Sequence, residues 1–428
     1  MRITYLHQYF NTPGMPGGTR SYEMARRLVA MGHEVDMVTS WPQADGRSDW
    51  FTTEESGIRV HWLPVPYANS MRYAERMKAF FRFAMRSAAR AASIDADLVF
   101  ATSTPLTIAL PAVHAARRQR VPMVFEVRDL WPELPIAMGA LRNPFAKRAA
   151  GALERWAYRN AEAVVALSPG MRDGVVDAGG APGRVAVIPN SSDCDMFDVD
   201  ATEGLRFRAA RPWLDDRPML VYPGTFGAIN GVGYMLDIAR VLARIAPSVC
   251  ILLVGDGRER AAVEEAARRE GLLDVNVFVE RSLPKCQMPA LFSAADMVCS
   301  LFIDLPAMRA NSANKFFDAL AAGKPCLLNY GGWQAELVDA HRIGLLTLGM
   351  SANEAAGAIA QAVADTGWMA EAGRRARRLA RSQFDRDRLA VQLESVLELA
   401  RQRRGAMASG VTPFHRPDGT PLFAEAGT

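Results

Sequence analysis

The chain has 428 residues, 50% of them hydrophobic, and a formal net charge of +4. This length exceeds what one hydrophobic core usually organises, so two domains of about 200 residues are expected. The composition excludes a mainly disordered chain, and the mild charge excludes a dedicated nucleic-acid binder.

The first half of the chain alternates short β-rich runs with helical patterns, which is typical of a parallel sheet with helices on both faces. A helix over residues 18–31 follows the first strand, and Gly32 ends it. The predicted strands are Ile3–Leu6, Glu34–Thr39, Arg59–Leu63, Leu98–Ala101, Met123–Glu126, Ala163–Ala166 and Val185–Ile188.

Residues 69–92 form an amphipathic pattern at 100° per residue. We predict that this helix binds anionic lipid at the inner face of the plasma membrane, because cationic faces with aromatic residues suit such surfaces. The alternative is a solvated basic face over a buried apolar stripe. One arc carries Arg72, Arg76, Lys78, Arg82, Arg86 and Arg90, with Phe83 among them, and the other carries Tyr73, Met77, Phe80, Phe81, Ala84 and Ala88.

No signal sequence or spanning segment is predicted, so we expect a cytoplasmic protein whose membrane contact is peripheral. The five cysteines lie well apart and form no CxxC motif, so neither disulfides nor structural zinc is expected.

A charged, proline-containing stretch at 205–217 separates the two halves, and strands then resume. We predict an N-terminal domain over 1–204, a C-terminal domain over 205–384, a C-terminal helix over 385–404 and a flexible tail over 405–428. Both domains are expected to be doubly wound α/β units that face a central cleft holding the active site. The strands predicted in the second half are Met219–Tyr222, Cys250–Val254, Val275–Phe278, Met297–Ser300 and Cys326–Asn329.

Two glycine-rich loops follow strands of the second half. Residues 223–233 contain Gly224, Gly227 and Asn230, and glycines there let backbone amides approach an anion. A tight turn alone is the alternative. The second loop, at Gly255, has a lone GxG pattern without the remainder of a dinucleotide-binding fingerprint.

A third candidate anion site lies at residues 306–325. Asn311 or Ser312 is predicted to cap the following helix, which leaves free amides and Lys315 near an anionic ligand. Asp318 falls one turn deeper. The alternative is an ordinary capped helix with an Asp318–Lys315 pair.

Four segments make the chain resemble the retaining GT-B glycosyltransferases of family GT4, in particular the WbuB/WcaI-like, fucosamine-transferase-like branch. They are residues 17–26 (GGTRSYEMAR), 125–133 (FEVRDLWPE), 188–190 (IPN) and 315–325 (KFFDALAAGKP), and the resemblance spans about residues 1–400.

This resemblance implies that the second domain binds a UDP-sugar. Asp318 would bind the ribose, Arg281–Leu283 would read the base, and Asn311–Lys315 would hold the diphosphate. The predicted donor-binding residues are Gly224, Phe226, Gly227, Asn230, Gly255, Arg281, Leu283, Arg309, Asn311, Ser312, Ala313, Asn314 and Asp318.

The chain departs from the family pattern at three positions. Ala310 stands where the first of two paired glutamates is usual, and the uncharged Phe226 and Asn230 stand where an arginine and a lysine are usual. Arg309 and Lys315 are expected to replace the missing cations.

In the first domain, functional side chains are expected in the loop that follows residues 123–126. Arg128 would meet phosphate and Asp129 would orient a sugar hydroxyl; the alternative is an Arg–Asp pair that ties the loop. The predicted catalytic residues are Arg128, Asp129, Glu133 and Lys315, and the predicted acceptor-binding residues are Gly17, Gly18, Thr19, Arg20 and Glu126.

His7 and His114 are interpreted as core or surface residues. No paired-Asp motif for a metal is evident, so metal-independent chemistry is expected, with dipoles and cations stabilising the leaving phosphate.

The predicted activity is transfer of a hexosyl or N-acetylhexosaminyl group, N-acetylfucosaminyl among them, from a UDP-sugar to a polyprenyl-diphosphate-linked saccharide. Such transfer builds a surface polysaccharide such as O-antigen, capsule or exopolysaccharide. Two alternatives stay open: a nucleotide-sugar 2-epimerase of the same fold, and a non-catalytic nucleotide-sugar-binding partner, which Ala310 motivates.

Overall fold

The first parallel sheet forms from strands that are apolar on both faces, as a sheet covered by helices on both sides requires. The computed structural model describes residues 1–15, 17–67, 71 and 73–403, with Tyr73 described by its backbone alone. The strands are β1 (Arg2–Leu6), β2 (Glu34–Trp41), β3 (Phe51–Glu55), β4 (Ile58–Pro64), β5 (Leu98–Thr102), β6 (Met123–Val127), β7 (Ala163–Ala166) and β8 (Val185–Val187). The helices are α1 (Arg20–Ala30), α2 (Tyr73–Ala92), α3 (Ala109–Gln119), α4 (Glu133–Ala137), α5 (Pro144–Asn160) and α6 (Pro169–Asp177).

The strand order of this sheet is β3-β4-β2-β1-β5-β6-β7-β8, and only the edge strand β3 runs antiparallel to its neighbour. The order reverses between β1 and β5. In doubly wound sheets, ligands bind beyond the carboxyl ends of the strands at such a reversal.

The second sheet contains the six strands of the other half, in the order β11-β10-β9-β12-β13-β14, all parallel. Its reversal lies between β9 and β12, so the loops after these two strands are where a ligand is expected. The remaining elements of the chain, in order, are α7 (Cys194–Phe197), α8 (Ala201–Ala209), β9 (Met219–Pro223), α9 (Tyr234–Ile245), β10 (Cys250–Val254), α10 (Arg260–Arg269), β11 (Val277–Glu280), α11 (Met288–Ala294), β12 (Met297–Ser300), α12 (Asn314–Ala321), β13 (Cys326–Leu328), α13 (Trp333–His341), β14 (Gly344–Leu346), α14 (Ala352–Ala364), α15 (Thr366–Gln383) and α16 (Arg386–Arg401).

Each strand that the sequence predicts is present, with ends shifted by at most two residues. The edge strands β3 and β14 are additional. Strand β3 reads FTTEE and β14 has three residues, so neither carries the continuous apolar run of a buried strand.

The two compact units divide at Pro189/Asn190 and again at Arg386/Asp387, and the short segment Ala310–Ser312 also belongs to the first unit. The sequence prediction places the boundaries at 204/205 and 384/385. Helix α8 crosses the first predicted boundary and belongs to the second unit. The charged stretch after it is held within that unit, since Arg211 forms two hydrogen bonds to the Glu280 carboxylate at 2.7 and 2.8 Å.

Helix α16 packs on the first unit. Leu389, Leu393 and Leu397 join its core, which also includes apolar residues of β1 and β2. The observed helix ends at Arg401, and the tail predicted over 405–428 lies outside the described residues.

Helix α2 buries Phe80 and Ala84 of the predicted apolar arc, and two other phenylalanines depart from the prediction. Phe83, placed on the basic arc, is fully buried, whereas Phe81 is 48% exposed. Arg90 donates a hydrogen bond to His61 Nδ1 at 2.8 Å, and Arg76 lies over the Tyr67 ring, because long arginine side chains reach polar and aromatic partners from a half-buried helix position. Residues 69, 70 and 72 of the predicted helix lie outside the described residues.

The exposed residues of α2 are Ala74, Glu75, Lys78, Phe81, Arg82, Met85, Arg86 and Ala89. Met85 is 71% exposed, so two large apolar side chains stand in solvent among three cations. No helix in the described part of the chain is long and apolar enough to cross a membrane.

Candidate active site

The second unit places three loops at the carboxyl ends of neighbouring strands. The loop after β9 begins at Gly224, and the loop after β10 begins at Gly255. The chain after β12 leads to α12, whose second residue is Lys315. Since β9 and β12 flank the reversal of strand order, these segments meet where the fold binds ligands.

Lys315 lies across the end of β9. Its Nζ is 4.2 Å from the centroid of the Tyr222 ring, and a Cβ added to Gly224 would stand 2.5 Å from the same nitrogen. Glycine at 224 therefore makes room for the ammonium group. The Tyr222 hydroxyl is anchored by donating to the Thr225 carbonyl at 2.8 Å, which fixes the ring beneath the lysine.

No described carboxylate forms an ion pair with Lys315. Burial lowers the pKa of its ammonium group from 10.5 to about 7, because the surrounding protein removes water without supplying an anion. An anionic ligand bound beside Lys315 would favour the protonated amine and so raise its pKa again.

The loop after β10 packs directly on the loop after β9. A Cβ at Gly255 would lie 1.8 Å from the Gly224 carbonyl oxygen, so no side chain fits there. A Cβ added at Gly257 would likewise lie 2.3 Å from the Phe226 carbonyl oxygen. These two glycines therefore serve close packing of backbone on backbone.

The predicted base-reading segment is tied to this loop. Ser282 Oγ donates to Asp256 Oδ2 at 2.8 Å, which connects the residues between Arg281 and Leu283 to the glycine loop. Arg281 is exposed and Leu283 is half-buried. The segment is thus positioned at the same edge of the sheet.

Asp318 is buried and already has two partners within the second unit. Ser192 Oγ donates to Oδ1 at 2.7 Å, and Lys285 Nζ lies 2.6 Å from Oδ2. The predicted alternative, a pair between Asp318 and Lys315, is wrong, because Lys285 takes that position. Sequence reasoning missed Lys285 and Ser192, which are far from Asp318 along the chain.

Helix α12 begins differently from the prediction. Its N-cap is Ala313, which has no side chain that can cap, so neither Asn311 nor Ser312 caps it. Asn314 is its first residue. The amides of the first turn therefore receive no side-chain acceptor from the N-cap, as a helix end that binds an anion requires.

Two predicted donor-binding side chains are turned inward. Phe226 is fully buried in the core of the second unit, and Asn230 is 6% exposed, with its backbone nitrogen donating to the Gly227 carbonyl. They shape the loop after β9 but do not replace the missing cations of the family pattern. Arg309 is exposed, 3.8 Å from Asp304.

In the first unit, Arg20 and Glu126 form a buried ion pair at the carboxyl edge of the sheet. Arg20 Nη2 lies 2.8 Å from Glu126 Oε1, and their side chains are 2% and 0% exposed. Arg20 also donates to the carbonyls of Ile188 and Pro189. The structure therefore assigns Arg20 and Glu126 to support of the sheet edge rather than to direct contact with an acceptor.

Beside this pair, Arg128 stands at the end of β6 without an ion-pair partner among the described residues. Its Nη1 donates to His7 Nε2 at 3.3 Å, and its backbone nitrogen donates to Ser103 Oγ at 3.0 Å. Burial and the nearby guanidinium lower the pKa of His7, so its imidazole is neutral and can accept this bond. The predicted alternative of an Arg128–Asp129 ion pair is not formed.

Asp129 is held by a different group. Thr104 Oγ1 donates to its Oδ2 at 2.8 Å, and burial raises the pKa of its carboxyl. Ser103 and Thr104 follow β5, the strand beside β1 at the reversal of order. Residues from β1, β5 and β6 thus meet at one edge of the first sheet.

Gln8 is a further polar residue at this edge that sequence reasoning missed. It is 1% exposed, and neither atom of its side-chain amide has a hydrogen-bond partner in the described part of the molecule. Its carbonyl is fixed by donors from Thr39 and Ser40. The sequence signal that could have identified Gln8 is its position just after the carboxyl end of β1.

Of the other predicted residues of the first unit, Thr19 is buried and the remaining three are exposed. Gly17 and Gly18 are exposed, and Thr19 is the N-cap of α1 without a side-chain cap bond. Glu133 is exposed at the start of α4. Within the described residues, no group of three or more His, Cys, Asp or Glu side chains is placed to hold a metal ion.

Comparison with known families gives two adjacent matches. Residues 17–191 match the family described as Glycosyl transferase 4-like domain, and residues 217–365 match Glycosyl transferases group 1.

Two curated relatives illustrate the range of this similarity. The 2-deoxystreptamine glucosyltransferase of Streptomyces kanamyceticus is 28% identical over 41% of this chain and 44% of its own length, so the match spans less than half of that relative. The GDP-mannose-dependent alpha-(1-6)-phosphatidylinositol monomannoside mannosyltransferase of Mycobacterium tuberculosis is 23% identical over 90% of this chain and 95% of its own length.

Among solved structures, HepE of Anabaena in complex with UDP superposes with a TM-score of 0.69 at 20% identity, over 93% of this chain and 100% of that one. The predicted GT-B fold of two Rossmann-like α/β domains is thereby confirmed.

Proposed function

We propose that this chain, which carries a glycosyl transferase 4-like domain followed by a glycosyl transferases group 1 domain, transfers a sugar from a nucleoside diphosphate donor. The observation that carries the proposal is Lys315, which has no carboxylate partner among the described residues and lies over Gly224 and Tyr222 where the second sheet reverses its strand order. The bond from the sugar to the diphosphate breaks more easily when a fixed cation and helix amides stabilise the charge that develops on the leaving phosphate.

The donor is a UDP-sugar in this proposal. HepE, which has the same fold, was solved with UDP, whereas the mycobacterial relative is named for GDP-mannose. Hexosyl or N-acetylhexosaminyl transfer, with N-acetylfucosaminyl included, follows from the resemblance to the fucosamine-transferase-like branch. Binding by calorimetry to UDP, GDP and CMP would identify the base, and UDP binding weaker than GDP binding would overturn the UDP assignment.

The acceptor is a lipid-linked saccharide of surface polysaccharide assembly, and the first unit supplies its binding edge. Arg128, free of any described carboxylate, offers a cation for an acceptor phosphate. Incubation of the enzyme with UDP-[14C]sugars and polyprenyl-diphosphate-linked saccharide should give a labelled lipid product. Labelled free sugar alone, or an epimerised nucleotide sugar, would contradict transfer to this acceptor.

Peripheral attachment at the inner face of the plasma membrane would bring the enzyme to this acceptor. The exposed face of α2 supports it, because Phe81 and Met85 can enter the acyl boundary while Lys78, Arg82 and Arg86 meet anionic headgroups. Each cation near an anionic surface contributes about 1 kcal/mol.

Co-sedimentation with vesicles tests the attachment. The chain should bind vesicles containing phosphatidylglycerol more strongly than neutral ones, and Phe81→Ser with Met85→Ser should release it. A matched control is Val275→Ser with Ile245→Ser, which alters two exposed apolar residues of the second unit. Equal release by both pairs would refute a role for α2.

A further inference from the structure

A cavity lies at the amino edge of the first sheet, opposite the carboxyl edge that carries Arg128. It encloses about 270 Å³ at the amino ends of β6, β7 and β8, where α3 and α5 end. A five-residue strand spans about 16 Å, so this cavity is separated from the carboxyl edge by the length of the sheet. Its charged lining residues are Arg117, Arg120, Arg159, Glu162, Arg184 and Arg403, and we call it the arginine pocket.

The arginine pocket has an excess of positive charge. Its lining includes five arginine residues and one glutamate, and in the described part of the chain none of these side chains forms an ion pair. Arg117 donates instead to the neutral Asn160 Oδ1 at 2.6 Å, and Arg403 donates to the Arg120 carbonyl at 3.4 Å. Two of the five cations are therefore held by neutral acceptors, which do not compensate their charge.

Helix ends account for only part of this charge. Cations favour helix C-termini, and α3, α5 and α16 all end near the pocket, each contributing roughly half a negative charge. Together with Glu162 these ends offset about 2.5 of the five positive charges. About 2.5 positive charges remain on these exposed arginine residues and are available to an anionic ligand.

We propose that the arginine pocket binds a small phosphate-bearing metabolite, as an effector site distinct from the donor and acceptor edges. Guanidinium groups match phosphate oxygens with paired hydrogen bonds, and several of them converge here. The volume of about 270 Å³ lies just below the usual range of ligand pockets, about 300–1,000 Å³, so it suits a sugar phosphate or pyrophosphate rather than a whole nucleotide sugar.

Calorimetric titration of the full chain with inorganic pyrophosphate, in saturating UDP, tests the site. The wild type should show saturable binding, and Arg159→Gln with Arg184→Gln should weaken it by about ten-fold or more, since two charge-assisted contacts are lost. The matched control Arg244→Gln with Arg269→Gln removes the same charge from two exposed positions of the second unit and should bind as the wild type does.

The donor site is distinguished by a third variant, Lys315→Met. Pyrophosphate binding that survives in this variant but is lost in the Arg159→Gln/Arg184→Gln pair assigns the ligand to the arginine pocket. Absence of saturable binding in the wild type, or equal weakening in the control pair, would overturn the proposal. Binding only to vesicles that carry phosphorylated headgroups, and none to soluble pyrophosphate, would overturn the assignment to a small metabolite.

Discussion

Replacing Lys315 by methionine tests the donor site most directly. Methionine keeps the length and apolar stem of the side chain and removes the charge that faces Gly224 and Tyr222. A hydrogen bond from a charged group contributes about 1.5–3 kcal/mol, so UDP should bind about 10–150-fold more weakly at pH 6.5.

The deficit should shrink as the pH rises. Free Lys315 has a pKa of about 7 because burial disfavours its charge, so above that pH the wild type must take up a proton to bind UDP through an ammonium group. Between pH 6.5 and 8.5 this requirement raises the Kd of the wild type for UDP by about 1.4 log units, or roughly 25-fold. The titration of UDP itself cancels in the ratio of the two proteins.

Isothermal titration calorimetry at both pH values, in two buffers of different ionisation enthalpy, measures the affinity and the proton uptake. Lys324→Met is the matched control, since Lys324 follows the same helix but binds the Ser293 carbonyl near the amino edge of the sheet. A ratio near one at pH 6.5 in a folded variant would refute the contact with the diphosphate. A ratio that does not change with pH would refute the lowered pKa.

The same substitution changes how stability depends on pH. Unfolded Lys315 holds its proton up to about pH 10.5, whereas the folded chain releases it near 7, so this group raises wild-type stability as the pH rises through that interval. The methionine variant should lack this increase in urea unfolding curves collected at pH 7 and pH 9.5. Parallel changes in the two proteins would contradict the argument.

Three further substitutions test other parts of the site. Glu126→Gln removes the buried partner of Arg20 and should cost about 3–5 kcal/mol in urea unfolding, and adding Arg20→Met should recover much of it; a neutral single variant would contradict the buried pair. Gly255→Ala forces a methyl group against the Gly224 carbonyl and should destabilise the second unit by at least about 2 kcal/mol by the same measurement, whereas an unchanged midpoint would show that the loops are not in contact. Asp318→Asn leaves its half-buried partner Lys285 without a carboxylate and should lower UDP affinity in calorimetry if the ribose binds there; an affinity loss equal for UDP and inorganic pyrophosphate would argue against a ribose contact.

Sequence reasoning located the candidate site by its loops but assigned several side chains incorrectly. Gly224, Gly255 and Lys315 are found at neighbouring strand ends because strand–glycine–helix patterns are local signals. Whether a charged residue at such an edge faces a ligand or a partner is a separate question. Arg20 and Glu126 stand at the predicted edge, yet they neutralise each other in the interior.

The face of α2 illustrates the same limit. Its helical periodicity was evident, but the sequence placed Phe83 outside and left Phe81 inside, the reverse of the structure. With apolar and basic residues spread around the helix, the buried face depends on which side meets the sheet and on partners such as His61 for Arg90.

The sequence by itself determined the two α/β units, the positions of their main strands and the glycine loops, because hydrophobic period, helix caps and turn residues act over a few neighbours. Only the tertiary structure decided the strand order that puts β9 beside β12 and β1 beside β5, and the pairing of Asp318 with Lys285. Those contacts join residues far apart along the chain, and their energies depend on burial and distance, which no local pattern records.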